Sequence, residues 1–193
     1  MLYNILRLLA FFLVKIVFWV KVEGKENIPQ QGPLIIASNH LSNLDPIIIG
    51  AVSPRRLNFL AKQELFRNFL FASLIKKLGA FPVKRGKADV LAMKEAVRRL
   101  KKGGALILFP QGRRTRDLAK ENLLTGIGFL AKVTQAPVLP VRIFGTERAL
   151  PPNSFILRPV RVKVKFSQPL QFSFQQKREE IVEKIFDSIV NIS

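Results

Sequence analysis

The sequence predicts an α/β domain with a mixed, mostly parallel central sheet flanked by helices, preceded by a membrane-associated helix. Three observations carry that prediction. Short apolar runs alternate with helical stretches throughout residues 21–193, the signature of strands buried between helices. The first twenty residues, MLYNILRLLAFFLVKIVFWV, are apolar apart from Asn4, Arg7 and Lys15. A histidine and an aspartate stand five residues apart directly after the first apolar run, as His40 and Asp45. That is where such sheets carry their sites.

Taken in order, residues 1–20 are expected to form a membrane-anchoring helix and residues 21–193 the α/β domain. At about 100° per residue, Asn4, Arg7 and Lys15 fall within an arc of roughly 80°. A helix in the plane of one leaflet would turn this narrow stripe towards the phosphates and place Trp19 near the headgroups. Its charges do not precede the apolar run as they do in a signal peptide, and no small-residue cleavage site follows. A tilted span with snorkelling Arg7 and Lys15, and a buried core helix, are the alternatives.

Buried strands are expected at Leu34–Ser38, Leu57–Lys62, Ala80–Arg85, Ala105–Pro110 and Val138–Phe144. Val160–Phe166 alternates valine with basic residues and reads as an edge-like or half-exposed strand. Helices are expected over Glu64–Leu78, Ala88–Lys102 and Gln175–Ile192. The second of these ends on four cations and Gly103-Gly104, which suit a helix C-terminus. Asp45-Pro46 reads as a helix start, with an N-cap carboxylate and proline in the first turn.

Composition narrows the chemistry. The chain has 193 residues, 48% of them hydrophobic, enough for one domain with a sizeable core. It has no cysteine and one histidine, so thiol nucleophiles, thiolate metal sites and a two-histidine zinc site are excluded. The net charge is +19, and residues 51–116 hold 17 basic against 3 acidic side chains. Such a field attracts polyanions. No recognisable nucleic-acid motif accompanies it, and Tyr and Trp occur once each, so nucleic acid is not the expected partner. Arg55, Arg56, Lys76, Lys77, Lys84 and Lys87 are expected to meet anionic membrane lipids or an acidic partner.

His40 stands in Asn39-His40-Leu41-Ser42-Asn43-Leu44-Asp45. A histidine oriented by a carboxylate is the usual general base near neutral pH. No serine lies in a nucleophile-elbow setting, so the base would act on a hydroxyl of the substrate. Spacing alone equally allows a capping aspartate beside a satisfied loop histidine.

The N-H-x-x-x-x-D stretch resembles the first motif of the glycerolipid acyltransferases, specifically the 1-acylglycerol-3-phosphate (lysophosphatidate) acyltransferases. Gly79-Ala80-Phe81-Pro82-Val83-Lys84-Arg85-Gly86 is similar to their second motif, and Phe109-Pro110-Gln111-Gly112-Arg113-Arg114-Thr115 to their third. Ala136–Val141 looks like the fourth, and Ala61-Lys62-Gln63-Glu64-Leu65 like a further family stretch. The order matches, and the resemblance covers roughly residues 20–170. It implies acyl transfer from an acyl-carrier-protein or coenzyme A thioester to lysophosphatidate, with no metal or organic cofactor.

It also implies His40 as base, Asp45 as its orienter, and Arg85, Gly112, Arg113 and Arg114 around the acceptor phosphate. Lys62, Gln111 and Asn39 are candidates for oxyanion or site support. Gln111 replaces the family glutamate, Arg113 a threonine and Thr115 a serine. The resemblance further implies attachment to the cytoplasmic face of a bacterial inner membrane. An acceptor such as glycerol 3-phosphate or another lysolipid is the nearest alternative. A basic membrane- or nucleic-acid-binding protein without catalysis is the alternative of another class.

Overall fold

In the computed structural model, residues 2–84, 89–120, 123–151 and 154–193 are described, with side chains from residue 5 onwards. The most buried apolar run, Leu34–Ser38 (β2), lies at the middle of a seven-stranded sheet. The other strands are Lys21–Glu23 (β1), Leu57–Lys62 (β3), Ala80–Val83 (β4), Ala105–Leu108 (β5), Val138–Phe144 (β6) and Lys163–Phe166 (β7). Their order is β1-β7-β6-β2-β5-β3-β4. The block from β6 to β4 is parallel throughout, β7 is antiparallel to β6, and β1 is parallel to β7. The carboxyl ends of β2, β3, β4, β5 and β6 therefore share one edge.

Helices cover both faces. Leu2–Phe18 (α1) and Asp45–Val52 (α2) pack on the first face, against Ile36, Leu139, Val141, Ile143 and Val164. Val90–Lys101 (α3), Gly126–Thr134 (α4) and Arg178–Val190 (α5) pack on the second, against Ile35, Ala37, Leu106 and Val138. The alternation Ile35/Ile36 between the two cores is the period of two that a doubly covered strand shows.

Several elements are shorter or differently divided than the sequence predicts. The helix expected over Glu64–Leu78 is a 3-10 turn, Gln63–Phe66, followed by a separate helix, Phe69–Lys77. Asn68 divides them: its side chain caps the second helix by accepting from the Phe71 N–H at 2.9 Å. Asp89 likewise caps α3, accepting from the Ala92 N–H at 3.0 Å.

β7 is not an edge strand, because the three-residue β1, too short to show a pattern, pairs along it. Val164 and Phe166 enter the core, while Lys163 and Lys165 turn outward and flank Glu23 of β1 at 3.5 and 2.8 Å. Hydrogen bonds from Lys165 and then Lys21 hold the Glu23 carboxyl down at about 2.

α1 is part of the domain's packing. Val14 and Phe18 are buried in the first core, and the Arg7 guanidinium donates to the Ser53 carbonyl at the end of α2 at 2.6 Å. Arg7 therefore faces the protein and not a headgroup layer. Of the polar arc expected to face phosphates, Arg7 is turned to the domain, whereas Lys15 stays exposed. Beside Lys15, the outer side of α1 is a row of exposed apolar residues, Leu8, Leu9, Phe12, Leu13 and Ile16, followed by exposed Trp19 just after the helix. Among the described residues, no helix is long and apolar enough to cross a membrane.

Candidate active site

β2 delivers the chain to the carboxyl edge of the sheet, and Asn39 fixes its exit. The Asn39 amide donates to the Ile143 carbonyl at 2.9 Å and accepts from the Ile143 N–H at 2.8 Å, tying the end of β2 to β6. The next residue, His40, stacks on Phe109 at 4.0 Å between ring centroids. Phe109 packs against the first core, so His40 lies on the α1/α2 side of the edge.

Asp45 is fully buried and receives four donors or partners. Oδ2 lies 2.7 Å from His40 Nδ1 and accepts the N–H groups of Leu41 at 2.6 Å and Ser42 at 2.8 Å. Oδ1 accepts the Thr146 hydroxyl at 2.6 Å. This differs from the capping role read from the sequence. Leu44 occupies the N-cap position of α2, and Asp45 is the first helical residue with its side chain turned back onto the loop. The five-residue loop is short enough for one carboxylate to satisfy its amides and its histidine together. An ionised carboxylate only accepts, so His40 donates through Nδ1, and in the neutral imidazole Nε2 is then the nitrogen that carries the lone pair.

The loop after β5 closes over this pair. The Thr115 N–H donates to the His40 carbonyl at 2.9 Å. Gly112 has φ 63, and a Cβ there would meet Leu124 Cδ1 at 2.3 Å. That left-handed backbone favours glycine at the turn. The Gln111 amide donates to the carbonyls of Asp117 at 2.8 Å and Ala119 at 3.4 Å, while its Oε1 is buried without a partner among the described residues. Gln111 thus braces the loop with donors that an ionised glutamate lacks.

The remaining expected residues are less closely assembled. Arg113 is exposed and Arg114 half-buried, on the loop that touches His40. Lys62 ends β3, two strands from β2, or about 10 Å at normal strand spacing, and is exposed. Arg85 lies outside the described residues.

Residues 19–144 match the family described as Acyltransferase. The chain belongs to that family. Among its curated acyltransferase relatives, it is 35% identical to a 1-acyl-sn-glycerol-3-phosphate acyltransferase of Bacillus subtilis (strain 168) over 65% of this chain and 63% of the relative. It is 30% identical to one of Streptococcus pneumoniae over 85% of this chain and 61% of the relative. The matches thus span about three-fifths of these relatives' lengths. The acyltransferase crystal structure from Thermotoga maritima, described as the 1-acyl-sn-glycerophosphate (LPA) acyltransferase, superposes with a TM-score of 0.71 at 27% identity, covering 99% of this chain and 96% of that one.

Within this acyltransferase fold, Thr146 is the site residue that sequence reasoning missed. Gly145, with φ 89, ends β6 and starts a single helical turn, Thr146–Ala149 (α6), that points the hydroxyl at Asp45. Its signal was present in the strand pattern. A parallel neighbour of β2 brings its own carboxyl end beside the His40 loop, so the first hydroxyl after Val138–Phe144 was a candidate.

Proposed function

We propose that this chain is a 1-acyl-sn-glycerol-3-phosphate acyltransferase, transferring an acyl chain from a thioester to the free hydroxyl of lysophosphatidate. The observation that carries the reading is the buried His40–Asp45 pair, 2.7 Å apart at the carboxyl edge of a parallel sheet. His40 Nε2 removes the hydroxyl proton as the oxygen attacks the thioester carbonyl. Asp45, held by Thr146 and the loop amides, stabilises the imidazolium that forms. Collapse of the tetrahedral intermediate expels the thiolate, which takes the proton back from His40. Protons balance and thioester-to-ester exchange is downhill, so the mechanism calls for no metal or organic cofactor.

Arg113, Arg114 and Arg85 are assigned to the acceptor phosphate, where guanidinium forks match phosphate oxygens. Backbone N–H groups near Gly112 suit the oxyanion better than Lys62, which stands two strands away. Asn39 and Gln111 act as braces.

Membrane attachment at the cytoplasmic face is part of the same proposal. The exposed apolar row of α1 inserts in the plane of one leaflet. Phe155, 99% exposed, and Ile156 add a second apolar outcrop in the connection from α6 to β7, at the same edge as His40. The test is an assay of the purified full chain with lysophosphatidate, another lysolipid or glycerol 3-phosphate, each with acyl-carrier-protein and coenzyme A donors. Phosphatidate formation from lysophosphatidate is expected to dominate. Preference for another acceptor would move the reading elsewhere in the family, and no transfer to any acceptor would sink it.

A further inference from the structure

Beside the catalytic pair, but on the other side of the sheet edge, lies a cavity of about 260 Å³. Its walls come from the loop after β2, the end of β6, α6 and the segment around Arg116. Ile143 belongs to the first core, so the alternation of β6 sends Arg142 and Phe144 to the second face. Arg142 confirms the side by donating to the carbonyls of Val190, the last residue of α5, and of Ile192 just after it. His40 and the cavity thus approach one edge from opposite faces.

The chemistry of the cavity is mixed. Arg116 and Arg148 are exposed cations at its wall. Glu147 also lines it, and its Oε2 is buried with no hydrogen-bond partner among the described residues. Arg148 reaches only Glu147 Oε1, at 3.7 Å. A buried carboxylate oxygen without a donor is costly, so this oxygen suits an N–H or O–H brought by a ligand or by water. Apolar wall is supplied by Leu41, Leu118 and Phe144.

We propose that this cavity binds the 4′-phosphopantetheine arm of the acyl donor. The inference rests on the acyl-transfer reading above and names the second substrate's path. The arm presents a phosphate for Arg116 and Arg148, amide N–H and hydroxyl groups for Glu147, and a slender apolar stem. The volume is just below the ~300–1,000 Å³ usual for small-molecule sites, which suits an arm and not an entire nucleotide. The faces also divide the substrates: the lipid acceptor meets His40 from the side of α1, and the water-soluble donor enters from the side of α5. Acyl-carrier protein and coenzyme A share the arm.

The test combines calorimetric titration with 4′-phosphopantetheine and steady-state kinetics with both donors, on the full chain and on Arg116→Gln, Arg148→Gln and Glu147→Ala. Each variant is expected to bind the arm about 10- to 100-fold more weakly. The donor KM should rise by a similar factor for both thioesters, with the lysophosphatidate KM unchanged. Undiminished binding of 4′-phosphopantetheine in the variants would overturn the proposal. So would a wild-type chain that does not bind it, a KM rise confined to one donor, or a rise confined to lysophosphatidate. If the wild type transfers no acyl group at all, the acyl-transfer reading falls while the titration still decides the binding site.

Discussion

Thr146 and Asp45 meet at 2.6 Å, and neither has any exposure to solvent. Replacing the hydroxyl with a methyl in Thr146→Val leaves a buried carboxylate oxygen short of its donor. Hydrogen bonds to charged groups are worth about 1.5–3 kcal/mol, so kcat should fall roughly 10- to 100-fold with the lysophosphatidate KM unchanged. Thr146→Ser should restore most of the activity, and failure of that rescue would assign Thr146 to packing alone. His40→Ala removes the base and should lower kcat by about 10²- to 10⁴-fold while vesicle binding persists. Near-normal turnover in a purified, folded sample would remove His40 from the chemistry.

The His40–Asp45 pairing was legible at this scale through the resemblance of the N-H-x-x-x-x-D stretch and its place after an apolar strand, since spacing alone also allowed a capping aspartate beside a loop histidine. Thr146 was not, since its contact with Asp45 spans 101 residues and depends on which strand neighbours β2.

At the scale of elements, α1 carries two apolar faces with different duties. Phe18 is 2% exposed in the first core, and truncating such a side chain costs about 3–5 kcal/mol. Thermal unfolding of Phe18→Ala should show that loss. The triple substitution Leu9→Gln, Phe12→Gln and Ile16→Gln alters only the outer face and should release the protein from vesicles with little change in melting temperature. Equal destabilisation by both variants would mean that the outer face is also packed.

α3 offers a pH test. Hydrogen bonding from Arg98, with Arg99 alongside, holds Glu95 down at about 2 from its ordinary 4.5. A lowered folded value stabilises above the unfolded pKa and is lost as pH falls through the folded one. Wild type and Glu95→Gln should therefore differ near neutrality and converge in urea titrations between pH 4.5 and 2.

Element boundaries were legible where the apolar run was complete, as in β2, β3 and β6. They failed at Asn68, a cap concealed within an apolar stretch, and at α4, whose Gly126 and Gly128 look like loop. Gly128 is needed because a Cβ there would come within 2.5 Å of the Arg178 carbonyl in α5. The sequence separates a helix over residues 1–20 from the domain after it, whereas Val14 and Phe18 join that helix to the same core.

For the whole molecule, the net charge of +19 and the apolar outcrops act together. Binding to anionic vesicles should exceed binding to neutral ones at low salt. The difference should shrink as ionic strength rises, because the screening length falls to about 8 Å at physiological salt. Salt-independent binding would leave insertion of apolar side chains as the sole attachment.

Strand order has a further consequence, in time. Lys21 of β1 pairs with Lys163 of β7, so the sheet is completed only after about 140 more residues have been made. At ~5–20 residues per second, synthesis of that interval takes roughly 7–30 s. For most of it, α1 is outside the ribosome while β7, which closes the core beneath it, does not yet exist. On the proposed membrane attachment, a nascent chain with an uncovered apolar helix would reach a lipid surface before its α/β domain is finished, and folding would then proceed beside the membrane.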